Sequence, residues 1–353
     1  MDTKNILQHA AELHASDLFI IAGRPLSYRK DEQLLTEDGQ RLLPEDTSQM
    51  IQDIYHLAEE RDMDRLHTTG DDDFSFALPG ICRFRVNAYK QRGSLAAVIR
   101  IINFSLPTPE EMHIPSSIIS LGQLNKGLVL VTGPAGSGKS TTLACIIDHI
   151  NHTAEKHIIT LEDPLEYFHR HDKSIVSQRE INTDTESYVA ALRAALRQSP
   201  DVILLGEMRD YETMQIAMPA AETGHLVFST LHTIGAANTI DRIIDVFPAN
   251  QQQQIAVQLS MTLQAVISQQ FVPDTEGHSM PAFEFLTVNP AVRNMIRDNK
   301  VPQIDGMLYS ASGSSTMYSM DTCLANYYRR GTISKDTALM YASNPDMLKR
   351  KLA

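Results

Sequence analysis

The sequence predicts an α/β protein in two parts: a small α/β domain with an antiparallel sheet, then a larger domain with a mainly parallel sheet. Residues 73–78 (DFSFAL) and 81–89 (ICRFRVNAY) alternate apolar with polar side chains, which is the period of a half-buried strand. After residue 117, short apolar runs alternate with helical stretches, as in parallel strands joined by crossover helices. Between these patterns, Pro107 and Pro109 indicate a linker.

The elements of the first part follow in order along residues 1–103. Residues 17–25 (DLFIIAGRP) predict a strand and a turn, and residues 47–66 predict a helix. Pro79 and Gly80 predict a hairpin between the two alternating segments, and residues 95–101 (LAAVIRI) complete the sheet.

The linker is predicted to span residues 104–116, and the second domain residues 117–353. Within that domain, residues 310–316 (SASGSST) predict a loop by composition, and helices are expected to resume from Asp321 to the end.

Composition excludes several classes of protein. The 353 residues contain no apolar run near the ~20 residues of a membrane-spanning helix, and the polar N-terminus lacks the apolar core of a signal peptide. Cys82, Cys145 and Cys323 lie far apart without C-x-x-C spacing, which argues for a reducing compartment and against a disulfide framework or a zinc site. A formal net charge of −12 disfavours a broad nucleic-acid-binding surface.

The most informative segment is residues 133–140 (GPAGSGKS), which fits the phosphate-binding pattern G-x-x-x-x-G-K-[ST]. An apolar run, residues 127–132, precedes it, and Leu143, Ile146, Ile147 and Ile150 after it recur on one face of a helix. A strand, a glycine-rich turn and a helix in that order aim backbone N–H groups at an anion. The segment therefore predicts a nucleoside triphosphate site. The expected nucleotide-binding residues are Gly133, Pro134, Ala135, Gly136, Ser137, Gly138, Lys139, Ser140 and Thr141.

Two further apolar segments end in carboxylates. Residues 157–166 (HIITLEDPLE) predict an apolar strand that ends in three carboxylates, those of Glu162, Asp163 and Glu166. One of these acids could orient or deprotonate the attacking water. Residues 201–207 (DVILLGE) end in Glu207, which is placed to act on Mg²⁺ through water or to position the nucleophile. Lys139 is expected to contact the β- and γ-phosphates, and the Ser140 hydroxyl to hold Mg²⁺.

A third segment, residues 223–233 (TGHLVFSTLHT), is an apolar strand bounded by His225 and His232. A single histidine at a strand end is more often structural than catalytic. We expect four strand ends to converge on one edge of the sheet, and this convergence favours a sensing role for both histidines.

These four segments resemble the Walker A, Asp box, Walker B and His box of secretion-superfamily ATPases. Within that superfamily the chain is most similar to the type IV pilus retraction ATPases of the PilT/PilU group, and the resemblance spans almost the whole chain. It includes residues 83–87 (RFRVN), 239–248 (TIDRIIDVFP) and 290–297 (PAVRNMIR). It implies a PAS-like N-terminal domain and a RecA-like P-loop ATPase domain with C-terminal helices.

The resemblance also implies catalytic roles. Glu166 is the candidate for activating water, with Glu162 as the runner-up, and Glu207 is the Walker B acid. His225 and His232 form the His-box pair. In these hexamers, arginines of the N-terminal domain reach the nucleotide of a neighbouring subunit. Arg85 and Arg100 match those positions, and Arg83 is a weaker candidate. Without the resemblance, the sequence would indicate only ordinary solvent-facing arginines on alternating strands.

As a whole, the resemblance predicts a cytoplasmic homohexamer that hydrolyses ATP with Mg²⁺ and drives disassembly of the pilus fibre. The expected partners are an inner-membrane platform protein and a second retraction ATPase, with peripheral membrane contact and no nucleic acid. Features of both PilT and PilU occur, so an independent and an accessory motor both stay open, as do ring symmetry and firing order.

Three alternatives differ in features that the sequence can test. Pilus assembly or type II secretion ATPases usually carry an extra N-terminal domain and a four-cysteine zinc insertion, which this sequence lacks. Conjugation or type IV secretion ATPases share the four boxes but match less well in the N-terminal domain and in residues 290–297. A RecA-like DNA-dependent ATPase is disfavoured by the acidic composition.

Residues 290–301 (PAVRNMIRDNKV) predict a C-terminal helix. Val292, Met295 and Ile296 would form its buried face, while Arg293 and Arg297 would line a second, charged face. Pro290 suits the first helical turn, where a missing N–H costs nothing.

Overall fold

A computed structural model describes residues 2–30, 33–37, 39–103, 106–311 and 314–352. The chain divides into two compact units. The first comprises Met1–Leu106 with the short segment Glu166–Phe168, and the second comprises Pro107–Leu165 with His169–Ala353. Of the predicted linker, Phe104 and Ser105 lie outside the described residues, as do Ser312 and Gly313 of the predicted loop.

The first unit is an antiparallel sheet with helices. Its elements are α1 (Thr3–Glu12), β1 (Asp17–Ile20), β2 (Ser27–Lys30), β3 (Gln33–Thr36), α2 (Pro44–Leu57), α3 (Asp64–Thr69), β4 (Asp71–Leu78), β5 (Cys82–Gln91) and β6 (Ser94–Asn103). Within the described residues the strand order is β3-β2-β1-β6-β5-β4, with every neighbouring pair antiparallel.

The core of this unit lies on one face of its sheet. Phe84 and Val86 of β5 are buried together with Ile51 and Ile54 of α2, whereas the alternate residues of β5 face the other side. The predicted helix over residues 47–66 is two helices instead, because the chain passes through left-handed backbone at Glu59 and Glu60 (φ 58° and 57°).

The second unit is built on a larger sheet. Its elements are α4 (Ser116–Ile119), a 3₁₀ turn (Ser120–Gln123), β7 (Gly127–Thr132), α5 (Lys139–Thr153), β8 (His157–Glu162), β9 (Ile175–Glu180), α6 (Tyr188–Ala195), β10 (Val202–Leu205), α7 (Tyr211–Glu222), β11 (Leu226–Leu231), α8 (Ala236–Asp245), α9 (Gln252–Thr262), β12 (Leu263–Pro273), β13 (Ser279–Thr287), α10 (Pro290–Arg297), α11 (Gln303–Ser310), β14 (Met317–Tyr318), α12 (Met320–Arg329), α13 (Lys335–Met340) and α14 (Pro345–Lys351).

Across the described part of this sheet the strand order is β14-β13-β12-β7-β11-β10-β8-β9. The strands from β12 to β9 are parallel, and β13 and β14 are antiparallel additions at one side. Because neighbouring parallel strands point the same way, the segments after β7, β8, β10 and β11 all emerge at one edge of the sheet.

Both faces of the parallel strands are covered, which explains why they are apolar runs rather than alternating ones. On β7, Leu128 and Leu130 pack into one core with α7 and α8, and Val129 and Val131 pack into the opposite core with α5. A further apolar cluster joins β12 to the C-terminal helices through Val272.

The C-terminal helix α10 has the predicted buried face. Val292 and Ile296 are fully buried, Met295 packs partly against the same core, and Pro290 occupies the first turn after the Asn289 cap. Within the described residues, none of the helices combines the length and apolarity needed to cross a bilayer.

Candidate functional site: the carboxyl-terminal edge of the parallel sheet

The glycine-rich loop joins β7 to α5 and depends on glycine where it approaches β12. Gly133 and Gly138 have φ of 140° and 81°, backbone that L-residues with a side chain rarely adopt. A Cβ at Gly133 would lie 2.1 Å from the carbonyl oxygen of Gln269, so no other residue fits there without a backbone shift. The loop is therefore seated closely on the neighbouring strand.

Lys139 begins α5 and folds back over this loop. Its side chain is buried, and its ammonium donates to the carbonyl oxygens of Gly133 (3.0 Å) and Pro134 (2.8 Å). Ser140 and Thr141 follow in the first helical turn, where the N–H groups and the dipole of a 15-residue helix favour an anion. The arrangement suits a phosphate chain between the loop and the ammonium.

The donors present fit a phosphate with its divalent cation. The buried Ser137 hydroxyl in the loop has no hydrogen-bond partner among the described residues, which leaves it available to a ligand. No group of three or more His, Cys, Asp or Glu side chains in the described ranges is arranged to hold a metal ion. Mg²⁺ does not need such a cage, because it is usually held by few protein ligands, by waters and by substrate phosphates.

Two acidic residues have neighbouring backbone positions, Glu162 at the end of β8 and Glu207 after β10. Leu161 pairs with Leu205 across these strands, and the Gly206 N–H donates to the Leu161 carbonyl (2.8 Å). A Cβ on Gly206 would lie only 3.3 Å from the Cα of Glu162. The backbone therefore places Glu162 directly beside the Gly206–Glu207 step.

Glu207 is held by two cationic or potentially cationic groups. Its Oε1 lies 2.5 Å from Arg209 Nε and 3.3 Å from His232 Nε2, and its side chain is 14% exposed. The Thr230 hydroxyl donates to the Gly206 carbonyl (2.6 Å) and fixes the start of this segment. The Walker-B-like and His-box segments thus meet at one carboxylate.

Tyr188, at the start of α6, lies beside the Gly206 backbone, close to the two acidic residues. Its hydroxyl would be 3.0 Å from a Cβ on Gly206. Burial, and then the carboxylates of Asp163, Glu162 and Glu207, raise the pKa of this phenol, so it stays protonated and can donate a hydrogen bond.

His225 does not share this edge with His232. It precedes β11, its carbonyl accepts the Gly127 N–H at the start of β7 (3.0 Å), and its Nδ1 lies 2.9 Å from the Ala220 carbonyl oxygen. The strand between the two histidines rises ~3.3 Å per residue, which separates them by roughly 20 Å. The expectation that both histidines lie at the nucleotide edge is therefore wrong for His225, because a strand's two ends face opposite edges.

Glu166 and Glu162 fall in different parts of the structure. Glu166 is exposed and belongs, with Tyr167 and Phe168, to the first compact unit, whereas Glu162 ends β8 in the second. Glu162 is the acid that the sheet brings to Glu207.

The candidate arginines of the first unit lie on the sheet face opposite its core. Arg85 pairs with Arg100 across β5 and β6. Two hydrogen bonds join Arg85 to Asp73, at 3.2 and 2.7 Å, and Arg100 Nε lies 3.2 Å from Asp17 Oδ1. Arg83, two residues before Arg85, has its guanidinium carbon 5.6 Å from the centre of the Phe168 ring. Each of the three is therefore engaged within its own unit.

Three residues at the second-unit site were not assigned from the sequence: Tyr188, Arg209 and Gln269. Arg209 lies in the GEMRD stretch, two positions after Glu207, so its proximity to that acid could have been predicted from the sequence. Tyr188 and Gln269 come from distant segments, and only the sheet order brings them to the loop and the acids.

Comparisons with known proteins agree with this geometry. The family described as "Type II/IV secretion system protein" matches residues 1–335. The Pseudomonas aeruginosa type IV pilus retraction ATPase PilT is 43% identical over 98% of this chain and 99% of its own length. From the same organism, the type IV pilus ATPase PilU is 37% identical over 99% of this chain and 91% of its own length.

A solved structure gives the same result for the fold. The crystal structure of the pilus retraction motor PilT with bound ADP superposes with a TM-score of 0.90 at 45% identity, covering 98% of both chains. The predicted α/β fold class and the predicted ATP-hydrolysing enzyme class are confirmed, and so is the predicted similarity to retraction ATPases. The chain belongs to the type II/IV secretion family and is an ATPase of that family.

Proposed function

We propose that this chain is a hexameric motor that couples ATP hydrolysis to retraction of a type IV pilus. The observation that carries the proposal is the similarity to a retraction ATPase over nearly the entire length of both proteins, including α10. Short matches limited to the four boxes would support only the ATPase chemistry.

In this proposal, the loop and Lys139 bind the phosphates. The ammonium exchanges its contacts with the Gly133 and Pro134 carbonyls for phosphate oxygens, which it reaches from the same buried position. Ser140 and Glu207, the latter through water, would hold Mg²⁺. When bound, Mg²⁺ neutralises charge that develops on the phosphate oxygens.

Glu207 and His232 organise the reacting water. Glu207 accepts from His232 and Arg209 on one side, and Glu162 lies beside the same backbone step. An acid in this position orients water or takes its proton. Through its contact with the acid, His232 couples the protonation and ligand contacts of Glu207 to the segment that leads into α8. Glu162 has the better supported position for this role, and Glu166 would take part only if its segment approached the nucleotide.

Arg85 and Arg100 complete a neighbouring subunit's site. Both are held on one sheet face by Asp73 and Asp17, which limits the side-chain entropy lost when they bind a phosphate. A guanidinium supplied by a neighbour stabilises charge in the transition state, and it makes activity depend on the ring.

The proposed partners follow from the retraction role. They are five further copies of the chain, a platform protein of the inner membrane on its cytoplasmic side, and a second retraction ATPase in cells that have one. No nucleic acid partner is proposed, because the formal net charge is −12.

Gene deletion tests the direction of the motor. A retraction motor predicts cells with excess surface pili that do not twitch, counted by electron microscopy. Bald cells would show an assembly motor instead.

Mixed rings test the shared site. Arg100→Ala chains and Lys139→Ala chains are each expected to be inactive, but mixed rings should regain part of the ATPase activity. Some interfaces in such rings combine an intact loop with an intact arginine. Absence of recovery, with mixed rings demonstrated by native mass spectrometry, would refute the arrangement in trans.

A further inference from the structure

The strand beside the glycine-rich loop carries a glutamine that contacts this loop in several places. Strand β12 lies parallel to β7, and Ser268 pairs with Thr132, the last residue of β7. Gln269 is thus level with Gly133, where the loop begins. Its side chain lies on the α5 side of the sheet with Ala265 and Ile267, and the residue is 2% exposed.

Both ends of the Gln269 amide are used. Its Nε2 donates to the carbonyl oxygen of Ser137, and its Oε1 accepts from the Thr142 hydroxyl at 2.8 Å. The orientation of the amide is fixed, because a carbonyl oxygen can only accept and so requires the NH₂ group. One side chain thereby joins the end of the loop to the first turn of α5.

The backbone and the amide of Gln269 also determine where glycine is required. The carbonyl oxygen of Gln269 lies 2.1 Å from a Cβ built on Gly133, and its Nε2 lies 3.1 Å from a Cβ built on Gly138. The loop therefore rests on this one residue at both of its ends. A loop of different shape would lose these contacts together.

The bond to Ser137 has a consequence for phosphate binding. In a trans peptide the C=O and the following N–H point in opposite directions. Because Gln269 holds the Ser137 carbonyl, the Gly138 N–H points away from β12. Backbone N–H groups directed in this way are what a glycine-rich loop offers to phosphate oxygens.

We propose that Gln269 is a positioning residue for nucleotide binding, which holds the loop in its phosphate-binding shape before the nucleotide arrives. The inference rests on the nucleotide site that the proposed function assigns to the loop and Lys139, and it adds a residue to that site from a strand outside the four boxes. A purely structural role predicts a different result: lost stability, with unchanged nucleotide affinity in the protein that remains folded.

The test measures ADP affinity by calorimetry and the KM for ATP in the full-length assembled protein. Gln269→Leu keeps the size and removes both hydrogen bonds, and it should raise the Kd for ADP and the KM for ATP about 10-fold. The expected change in kcat is smaller, below about 3-fold, because the acids and His232 are untouched.

Thr142 provides a milder pair of variants. Thr142→Val removes the hydroxyl that donates to Gln269 Oε1 and should raise the Kd for ADP about 3-fold. Thr142→Ser keeps this donor and should bind ADP with the parent affinity. Combined with Gln269→Leu, Thr142→Val should add little, because the two side chains act through one contact.

Gln270 is the matched control. It is the same residue type one position later on β12, and its Nε2 donates to the Tyr341 carbonyl (2.8 Å) rather than to the loop. Gln270→Leu should leave both the KM and the Kd unchanged.

Three outcomes would overturn the inference. They are parent-like affinity in folded Gln269→Leu, an equal loss of affinity in Gln270→Leu, or a Gln269→Leu protein that does not fold while Thr142→Val binds ADP like the parent. A parent protein that neither binds ADP nor hydrolyses ATP would instead refute the proposed function.

Discussion

The two edges of the parallel sheet are built from the same strands but differ in chemistry. At the carboxyl-terminal edge, Glu207 follows β10 and lies against His232, which follows β11. At the amino-terminal edge, Asp201 precedes β10 and its Oδ2 accepts the His157 N–H at 2.8 Å, while His225 precedes β11 and contacts the end of α7. Both β10 and β11 thus have an acid or a histidine at each end.

What differs is the partner of each group. At the carboxyl-terminal edge the Glu207 and His232 side chains contact each other, and the glycine-rich loop follows β7 at the same edge, so these groups can act on one ligand. At the amino-terminal edge, the Asp201 and His225 side chains form their hydrogen bonds with backbone groups of the same unit, where they hold the turns between elements. The type of residue alone does not distinguish a catalytic edge from a structural one.

The largest difference in kcat should appear between two variants that replace an acid by its amide, one at each end of β10. Glu207→Gln removes the charge that organises Mg²⁺ and water, so kcat for ATP should fall by at least ~10²-fold while ADP still binds. Lys139→Ala should abolish nucleotide binding itself.

Asp201→Asn is the matched control at the amino-terminal edge. The amide oxygen can still accept the His157 N–H, so kcat should stay within about 2-fold of the parent value. A Glu207→Gln protein with parent-like turnover would contradict the assignment of the catalytic edge.

The histidines of β11 give the next test of the comparison. His232→Ala removes the contact with Glu207 and should lower kcat at least ~10-fold, which corresponds to ~1.4 kcal/mol in the barrier. His225→Ala should leave kcat within about 2-fold and affect only thermal stability. Equal losses of kcat in the two variants would contradict the assignment of His232 to catalysis and of His225 to structure.

Two arginines of α10 test whether contacts near the amino-terminal edge contribute to stability. Arg293 Nη1 donates to the Ser260 and Met261 carbonyls (2.6 and 2.9 Å) at the end of α9, just before β12 starts at the amino-terminal edge. Arg293→Ala should therefore lower the free energy of unfolding by about 1–2 kcal/mol, because two charge-assisted bonds at a helix C-terminus are lost.

Arg297→Ala is the comparison variant. Its guanidinium contacts only nearby polar groups of its own turn among the described residues, and the expected change in stability is below ~0.5 kcal/mol. Chemical denaturation of both proteins measures the difference, and a similar loss in both would contradict the capping role. Since Arg297→Ala keeps the fold, it also tests whether α10 is needed for twitching.

The smallest effect concerns pH at the end of α5. A hydrogen bond to the Asp148 carbonyl, supported by the nearby Asp148 and Asp172 carboxylates, raises the pKa of His152 above its usual 6.5. A histidine with a raised folded-state pKa stabilises the protein below pH 6.5, and this contribution is lost as the pH rises through the folded pKa. The Tm difference between parent and His152→Gln should therefore be larger at pH 5.5 than at pH 8.5, whereas a constant difference would contradict it.

Much of the fold could be predicted because local patterns and tertiary environment agree. The alternation at 73–89 predicted two half-buried antiparallel strands, and β4 and β5 have their apolar residues in one core. The helix over 47–66 was predicted without its break. Nothing in the hydrophobic period of that segment marks the left-handed residues Glu59 and Glu60, because their positive φ values arise from the path of the chain.

The sequence by itself determined the phosphate loop, the acids that end two strands and the family of ATPases, because these depend on short segments whose residue types are required by the chemistry. Only the tertiary structure decided which groups meet. It separated His225 from His232, brought His232 to Glu207, and placed Gln269 against a loop 132 residues away from it. The physical reason is that parallel strand order and register set these distances, and both depend on long-range packing rather than on any local segment.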